Sequence, residues 1–596
     1  MKIKLSDYIA KRLKEKYGVK HFFMVSGGGA MHLNDSLGRY IPYTANHHEQ
    51  ACSIAAEGYA RVNQNLAVVN VTTGPGGLNC LNGLFGQWTD SVPVLYISGQ
   101  VKTSTTMQSC PAISLRQLGD QEVDIISVVK PLTKYAKTVT NPNKIKYYLD
   151  KAIFEATTGR KGPVWLNIPM DIQSAIIDDE NLKEFEPKEK NKTDIKIKKI
   201  VEKIKQSKRP LIIAGNGIHL SKTENLLYKL LKNTATPVLT TFNAMDSVPS
   251  NHKNFCGRFG TVGQRAGNFI LQNADVILFL GTRNNIRQIS YNWENFAKNA
   301  FKIVIDIDKA ELEKPTIKPD LKINADLVDF MPELVKNFPK KNFSVWLKNC
   351  KELQKKYGFE NAAEYKSTEK ELNVYDFVHT LTSVMSEKDV MITANGSACV
   401  CTHQVGIVKE GQRIFYNSGN ASMGYALPAA IGAYYEAAKR NIICLEGDGS
   451  VMMNLQELQT VVHNKIPLKI FIINNNGYSS IRQTQKNFFN GHYTGSGDSS
   501  GVSVPDFLKI AKAFGIKAVK IDKPTTMKRK IKQVLKSNEP ILAEVVVIKD
   551  YNFIPKLSSK KLDDGTMVSP SLEDMFPLLS REEFNENKAK LGHLSF

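Results

Sequence analysis

The chain has 596 residues, 42% of them apolar, with 27 Phe and 4 Trp, which excludes a disordered polymer and is too long for one core, so about three to four domains are expected. Its net charge of +21 comes from lysines dispersed over segments such as 183–205 and 336–356, without zinc-finger spacing, an RNA-recognition aromatic motif or a basic heptad region. These features exclude specific nucleic-acid binding and fit a basic surface that collects anionic substrates. The 8 Cys contain no CxxC pair, and Cys399-Val400-Cys401 has the wrong spacing for zinc. The start, Met1-Lys2-Ile3-Lys4-Leu5-Ser6-Asp7, lacks the apolar core of a signal peptide, and no apolar run reaches membrane-spanning length. A cytoplasmic enzyme with reduced thiols is expected.

In chain order, residues 51–62 read as a small-residue helix and 66–71 as an apolar strand. Gly74-Pro75-Gly76-Gly77 follows as a tight turn into a helix, and 93–97 as another strand. A Lys/Glu-rich linker at 184–193 leads to a second block. Its strand segments at 210–217, 238–241, 276–281 and 303–308 each end where a nucleotide could sit. The third block echoes the first: a helix at 425–438, a strand at 442–445, the turn Gly447-Asp448-Gly449-Ser450, a helix at 455–463 and a strand at 467–473. Continuous apolar strands alternating with helices imply parallel sheets covered on both faces, with ligands at the carboxyl ends of the strands. The expected fold class is α/β, with three doubly wound parallel-sheet domains at 1–185, 194–340 and 370–550. A charged tail at 551–596 either folds over an active site or packs on the surface.

The third block carries the chemistry. Its first strand delivers Asp448 on a glycine-flanked turn, where the amides of Gly449 and Ser450 can face phosphate oxygens at a helix start. Its next strand ends in Asn474-Asn475-Asn476-Gly477, which offers an amide oxygen and loop carbonyls to a magnesium ion held by a diphosphate. Asp448, Asn475 and the Gly477 carbonyl are the candidate Mg2+ ligands.

The pair Gly447-Asp448-Gly449-Ser450 and Asn474-Asn475 resembles the thiamine diphosphate motif. His48-Glu49-Gln50-Ala51 with Ala55-Ala56-Glu57-Gly58-Tyr59-Ala60-Arg61 resembles the segment that carries the catalytic glutamate of the acetolactate synthase family. The similarity runs on through Thr73-Gly74-Pro75-Gly76-Gly77, Ser98-Gly99-Gln100, Gly162-Pro163-Val164 and Ser422-Met423-Gly424. It implies a thiamine diphosphate enzyme that decarboxylates a 2-oxo acid, with pyruvate the expected donor, and passes the fragment to a carbonyl acceptor. Glu49 is then the carboxylate on the cofactor's aminopyrimidine ring, a role expected of a buried group rather than a helix-surface residue such as Glu57. Met423 matches the apolar wedge that bends the cofactor, and Gln121 a glutamine near the donor, with an exposed helix Gln as the other reading. Gly27, Thr73, Gly396, Ser397, Gly447, Gly449, Ser450 and Tyr478 join the expected cofactor contacts.

In this family the middle domain binds FAD. The run Gly281-Thr282-Arg283-Asn284-Asn285-Ile286-Arg287 resembles the flavin segment, with Asn284 and Asn285 where two acidic residues are typical. Gly215, Gly217, Gly281, Thr282, Arg283, Arg287 and Asp306 are the candidate FAD contacts, and an empty middle domain, as in related decarboxylases, is the alternative. The acceptor side departs further. Ser480 and Gln483-Thr484 stand where a Met and a Gln-Trp pair are usual, Asp120 replaces an aromatic residue, Val25-Ser26-Gly27-Gly28 replaces Tyr-Pro-Gly-Gly, and His32 replaces a proline. Ser26, His32, Asp120, Ser480 and Thr484 would line a wider, more polar pocket, suited to a hydroxylated acceptor such as a nucleotide-linked ketosugar. Alternatively Asp120 and Thr484 lie outside it, and His32, His47 and His48 are structural. The family arrangement also implies a homodimer or homotetramer. The competing functions are a simple decarboxylase that releases an aldehyde, and a non-catalytic binding homologue.

Overall fold

The computed structural model describes residues 2–187, 195–437, 439–561, 564 and 566–592. Residues 188–193 of the expected linker, the domain start at 194, Ala438 at the end of the expected helix, and parts of the tail, including 593–596, lie outside the described residues.

In the N-terminal domain β1 (Lys2–Lys4) pairs antiparallel with β8 (Ile176–Asp178). The main sheet holds β2 (Phe22–Met24), β3 (Tyr43–Ala45), β4 (Ala67–Val71), β5 (Val94–Gln100), β6 (Tyr135–Thr138) and β7 (Val164–Pro169), all parallel, in the order β3-β2-β4-β5-β7-β6. The middle domain holds β9 (Pro210–Ala214), β10 (Val238–Thr240), β11 (Phe255–Arg258), β12 (Val276–Leu280), β13 (Phe301–Asp306) and β14 (Leu321–Asn324), in the order β11-β10-β9-β12-β13-β14. The C-terminal domain holds β15 (Val390–Thr393), β16 (Arg413–Phe415), β17 (Ile442–Gly447), β18 (Lys469–Asn474), β19 (Lys517–Ile521) and β20 (Ile541–Val546), in the order β16-β15-β17-β18-β20-β19. The outer two sheets therefore have one and the same order, second-first-third-fourth-sixth-fifth. The middle sheet has the 3-2-1-4-5-6 order of dinucleotide-binding folds.

The apolar runs of the sequence become strands because each is buried on both faces. In β9, Leu211 and Ile213 enter one core of the middle domain while Ile212 and Ala214 enter the other. In β5, Leu95 and Ile97 face one core and Val94 and Tyr96 the second. Alternation at period two thus feeds two hydrophobic layers from one apolar run.

The two outer domains meet through equivalent helices. The helix Glu49–Asn63 crosses the helix Ala426–Glu436 so closely that a Cβ on Gly58 would stand 1.9 Å from the carbonyl oxygen of Ala429, and one on Gly432 would stand 1.8 Å from that of Ala55. Ala55 and Gly58 correspond to Ala429 and Gly432, so the contact is reciprocal and only glycine allows it.

The tail packs on two domains. Residues 551–555 run over the start and end of the helix Ser397–Val405, while Leu572, Phe584 and Leu591 complete the core on one face of the middle sheet. Asn268 donates to the Leu572 carbonyl at 2.9 Å, and Arg265 to those of Met575 and Pro577.

Candidate active site

In the C-terminal domain the site is built at the switch point, where β15 and β17 lie side by side and their helices leave in opposite directions. β17 ends at Gly447, and Asp448, Gly449 and Ser450 open a short helix with buried side chains. Asp448 accepts N–H bonds from Gly477 at 2.9 Å, Asn475 at 3.1 Å and Gly449 at 2.7 Å, so its carboxylate joins the ends of β17 and β18. Burial pushes the Asp448 carboxyl up, against the pull of those three N–H groups. A cation beside it would oppose that shift. The side-chain oxygen of Asn475 is buried without a hydrogen-bond partner, while its amide nitrogen donates to the Tyr551 hydroxyl at 3.3 Å. An orphaned amide oxygen next to a buried carboxylate is the donor set of a hard-cation ligand pair, so these residues fit Mg2+.

Around this pair the backbone has the conformations a close ligand needs. Gly396 (φ +74°) precedes the helix Ser397–Val405, with the Ser480 hydroxyl 3.9 Å from where its Cβ would be. Gly477 (φ +111°) closes the β18 turn, and Gly449 lies against the Tyr478 ring. Gly424 is held on both sides, its N–H by the Ser450 hydroxyl at 2.9 Å and its carbonyl by the Asn454 amide at 2.8 Å. Met423 therefore projects from a fixed main chain, and 39% of it is exposed.

The N-terminal domain builds the matching half at the switch point between β2 and β4. Gly27 packs on Thr72, Gly29 N–H donates to the Thr72 hydroxyl at 3.1 Å, and the Thr73 hydroxyl donates to Gln100 at 2.6 Å. Glu49 opens the helix Glu49–Asn63, N-capped by the His48 ring, and accepts the Asn79 amide at 2.9 Å. Its carboxylate lies 3.7 Å from a Cβ built on Gly76, so it faces the turn after β4. Glu49 is half-exposed in the single chain, not buried as its expected role requires. The surface across from it lies open where the helices Pro75–Asn79 and Leu81–Asp90 expose Leu78, Phe85 and Trp88.

Two readings are corrected. Glu57 is not a helix-surface residue: it is fully buried, paired with Arg61 at 2.8 Å and bonded to the Tyr425 hydroxyl at 3.0 Å, because it lies where the outer domains meet. Gln121 is not on a helix. It is exposed in a turn with φ +60°, its carbonyl against Gly74, where the neighbouring Glu122 is buried and accepts the N–H groups of Met107, Leu118 and Gly119. Gln121 and Asp120 thus lie at the rim of the Glu49 half.

Ser26 is exposed beyond β2, and His32 is half-buried in the first turn of the helix Met31–Tyr40. Ser480 sits beside Gly396, whereas Thr484 is exposed and its hydroxyl turns back to the Ser480 carbonyl at 3.1 Å. Ser480 thus lies at the Gly396 turn of the C-terminal domain, Ser26 and His32 follow β2, Asp120 precedes Gln121 at the Gly74 turn, and Thr484 is on the helix surface.

The middle domain has its own site. A cavity of about 360 Å³ lies beyond β9 and β12 and is lined by Gly217, Gly281, Thr282, Arg283 and Asp306, with Asp90, Lys161 and Ser418 contributed by the outer domains. A Cβ on Gly217 would stand 2.6 Å from the Gly281 Cα, the close backbone approach of a dinucleotide crevice. Burial pushes Asp306 up to about 6 and Lys161 down to about 8. Gly215 packs under this crevice against Gly281 and Thr282, and Arg287 lies over the ring of Phe242, which lines the cavity.

Tyr551, Asn79 and Glu457 were not singled out in the sequence. The Tyr551 hydroxyl donates to Ser397 and meets Asn475, a contact across 154 residues that no local pattern announces.

Three family models of the thiamine pyrophosphate enzymes match in chain order: the N-terminal TPP binding domain at 3–128, the central domain at 197–334 and the C-terminal TPP binding domain at 394–545. The chain is 30% identical over 561 residues to the acetolactate synthase large subunit of Lactococcus lactis subsp. lactis (strain IL1403), covering 93% of this chain and 94% of that protein. It is 31% identical over 566 residues to a probable acetolactate synthase large subunit of Methanocaldococcus jannaschii, covering 91% and 92%. To the acetolactate synthase large subunit of Cyanidium caldarium it is 29% identical over 569 residues, covering 92% and 94%.

Proposed function

Because the chain belongs to the acetolactate synthase family of thiamine diphosphate enzymes, we propose that it decarboxylates pyruvate with Mg2+ as second cofactor and joins the two-carbon fragment to a carbonyl acceptor larger and more polar than a second pyruvate. The cofactor, when bound, supplies the carbon nucleophile and the electron sink for loss of carbon dioxide. The protein's residues do the rest. Asp448, Asn475 and the Gly477 carbonyl hold Mg2+, and the amide of Ser450 meets the diphosphate, while that of Gly449 is held by Asp448. The observation that carries this assignment is the buried, unpartnered Asn475 oxygen beside Asp448. Glu49 holds a proton at the pyrimidine ring nitrogen, Met423 enforces the bend, and Gln121 orients the donor carboxylate.

Flavin adenine dinucleotide fills the middle-domain cavity in this reading, held by Gly217, Gly281, Thr282, Arg283 and Asp306. A homodimer, or a homotetramer built from it, completes each site. The half-exposed Glu49 and the exposed Met423, Leu78, Phe85 and Trp88 support that, since a second copy would cover them. The enzyme acts in the cytoplasm, and among the described residues no helix is long and apolar enough to cross a membrane.

The acceptor proposed is a nucleotide-linked ketosugar. Ser480, Ser26, His32 and Asp120 offer polar groups that a small 2-oxo acid would leave unpaired. The test is pyruvate consumption with thiamine diphosphate, Mg2+ and FAD, first without an acceptor and then with ketosugars, with products identified by mass spectrometry. A branched sugar is the expected product. Fast acetolactate formation without an added acceptor overturns the acceptor assignment, and acetaldehyde alone makes the protein a simple decarboxylase.

A further inference from the structure

Asn46, His47 and His48 join β3 to the helix that Glu49 opens. What fixes this turn comes from the other end of the chain. Glu457, fully buried at the start of the helix Glu457–His463, accepts the His47 backbone N–H at 2.9 Å on one oxygen. Its other oxygen accepts the Asn46 amide at 2.8 Å and the Thr460 hydroxyl at 2.7 Å. A carboxylate is expensive to hold in a core, and three donors on its two oxygens keep it there. An apolar side chain would fill the same space but could not grip a turn of another domain. Glu457 binds that turn once through the main chain and once through a side chain, which fixes it in position and in rotation.

The same stretch of chain serves the other half-site. Within residues 448–457, Asp448 joins the ends of β17 and β18, and Ser450 and Asn454 clamp Gly424 next to Met423. Glu457 then reaches the Glu49 turn. We infer that Glu457 is a positioning residue for Glu49: it sets the main chain that presents this carboxylate, and it ties that placement to the metal turn and the Met423 segment of its own chain. The inference rests on the role assigned to Glu49 above.

The readout is the rate at which the C2 proton of bound thiamine diphosphate exchanges for deuterium, followed by NMR after acid quench, with cofactor affinity measured by calorimetry. Glu49→Gln is the control and slows exchange. Glu457→Ala is expected to slow it by about 10²-fold, the scale of a misplaced catalytic group, while the cofactor still binds. Glu457→Gln restores part of the rate. Its oxygen can keep the His47 N–H, and the Asn46 oxygen, which has no partner of its own, can accept the new amide. If Glu49→Gln is slow and Glu457→Ala exchanges at the parental rate, this inference falls and the Glu49 assignment stands. If Glu49→Gln also exchanges at the parental rate, the assignment itself falls and takes the inference with it. Equal losses of exchange and of affinity in both Glu457 variants mark a purely structural role and overturn it as well. Should Glu457→Ala not fold, Asn46→Ala decides: it removes one donor from the turn and leaves the carboxylate, and a parental exchange rate counts against the inference.

Discussion

The first and third domains share one strand order and contribute equivalent helices to a single crossing, yet they differ at the turn after their third strand. β4 leads into Thr73-Gly74-Pro75, where the proline offers no side-chain oxygen, and the domain places its carboxylate on a neighbouring helix start as Glu49. β17 leads into Glu446-Gly447-Asp448, and the carboxylate sits in the turn itself. A repeated scaffold thus fixes where a ligand meets the sheet, and the residue in one turn decides which part of the ligand it can hold. The middle domain, with another strand order, puts its cavity beyond β9 and β12 and gives it different groups.

The strongest way to break this comparison is at the crossing itself. Gly58→Leu would drive a side chain into the Ala429 carbonyl, and loss of cooperative folding is expected, read from the thermal unfolding curve; a native-like curve would mean that the two helices do not need their close approach. Next comes the difference between the turns. Asp448→Ala should abolish Mg2+-dependent retention of thiamine diphosphate, measured by gel filtration and cofactor assay, and normal retention would remove Asp448 from the metal site. The N-terminal half predicts the opposite pattern: Glu49→Gln should keep the cofactor and lower turnover by at least about 10²-fold, the low end for acid–base groups. Unchanged turnover would leave the two halves without the division of labour described above.

The smallest effect concerns how the outer domains hold together. His21 stacks on Tyr435 of the C-terminal domain at 3.8 Å and bonds to Thr44 at 2.8 Å. Burial pushes its pKa down to about 4. The unfolded chain therefore takes up the proton first, at the ordinary 6.5, and stability falls as pH drops from 6.5 towards 4, by at most about 3 kcal/mol. His21→Gln should flatten that part of the curve of unfolding temperature against pH. Parallel curves for the two proteins would show that His21 does not titrate with folding.

Much of the fold is legible locally because most of the central strands are apolar runs, and some close on a glycine or asparagine, as β17 does at Gly447 and β18 at Asn474. Both switch-point turns, the helix at Glu49 and the alternation of strands and helices can be read without knowing any contact. The sheet orders cannot, since parallel neighbours are set by crossovers over dozens of residues. In the site, Asp448 and Asn475 are legible because strand, turn and asparagines lie within one short stretch. Glu57 misleads because a glutamate in a helix carries no mark of what faces it; its burial comes from Tyr425 and the opposite helix. Gln121 reads as a helical residue because its strained turn is held by Glu122 and by Gly74 rather than by any turn motif of its own.

By itself the sequence determined the three-part α/β plan, the repeat of the first block in the third, and the turn after β17 that carries Asp448. These follow from apolar periodicity and from the backbone freedom of glycine, both of which act over a few residues. Only the tertiary structure decided that Tyr551 of the tail reaches Ser397 and Asn475, that Glu57 is interior, and that Glu457 grips Asn46 across 411 residues. Each of those depends on a partner distant along the chain, which folding brings within hydrogen-bond reach and local sequence cannot encode.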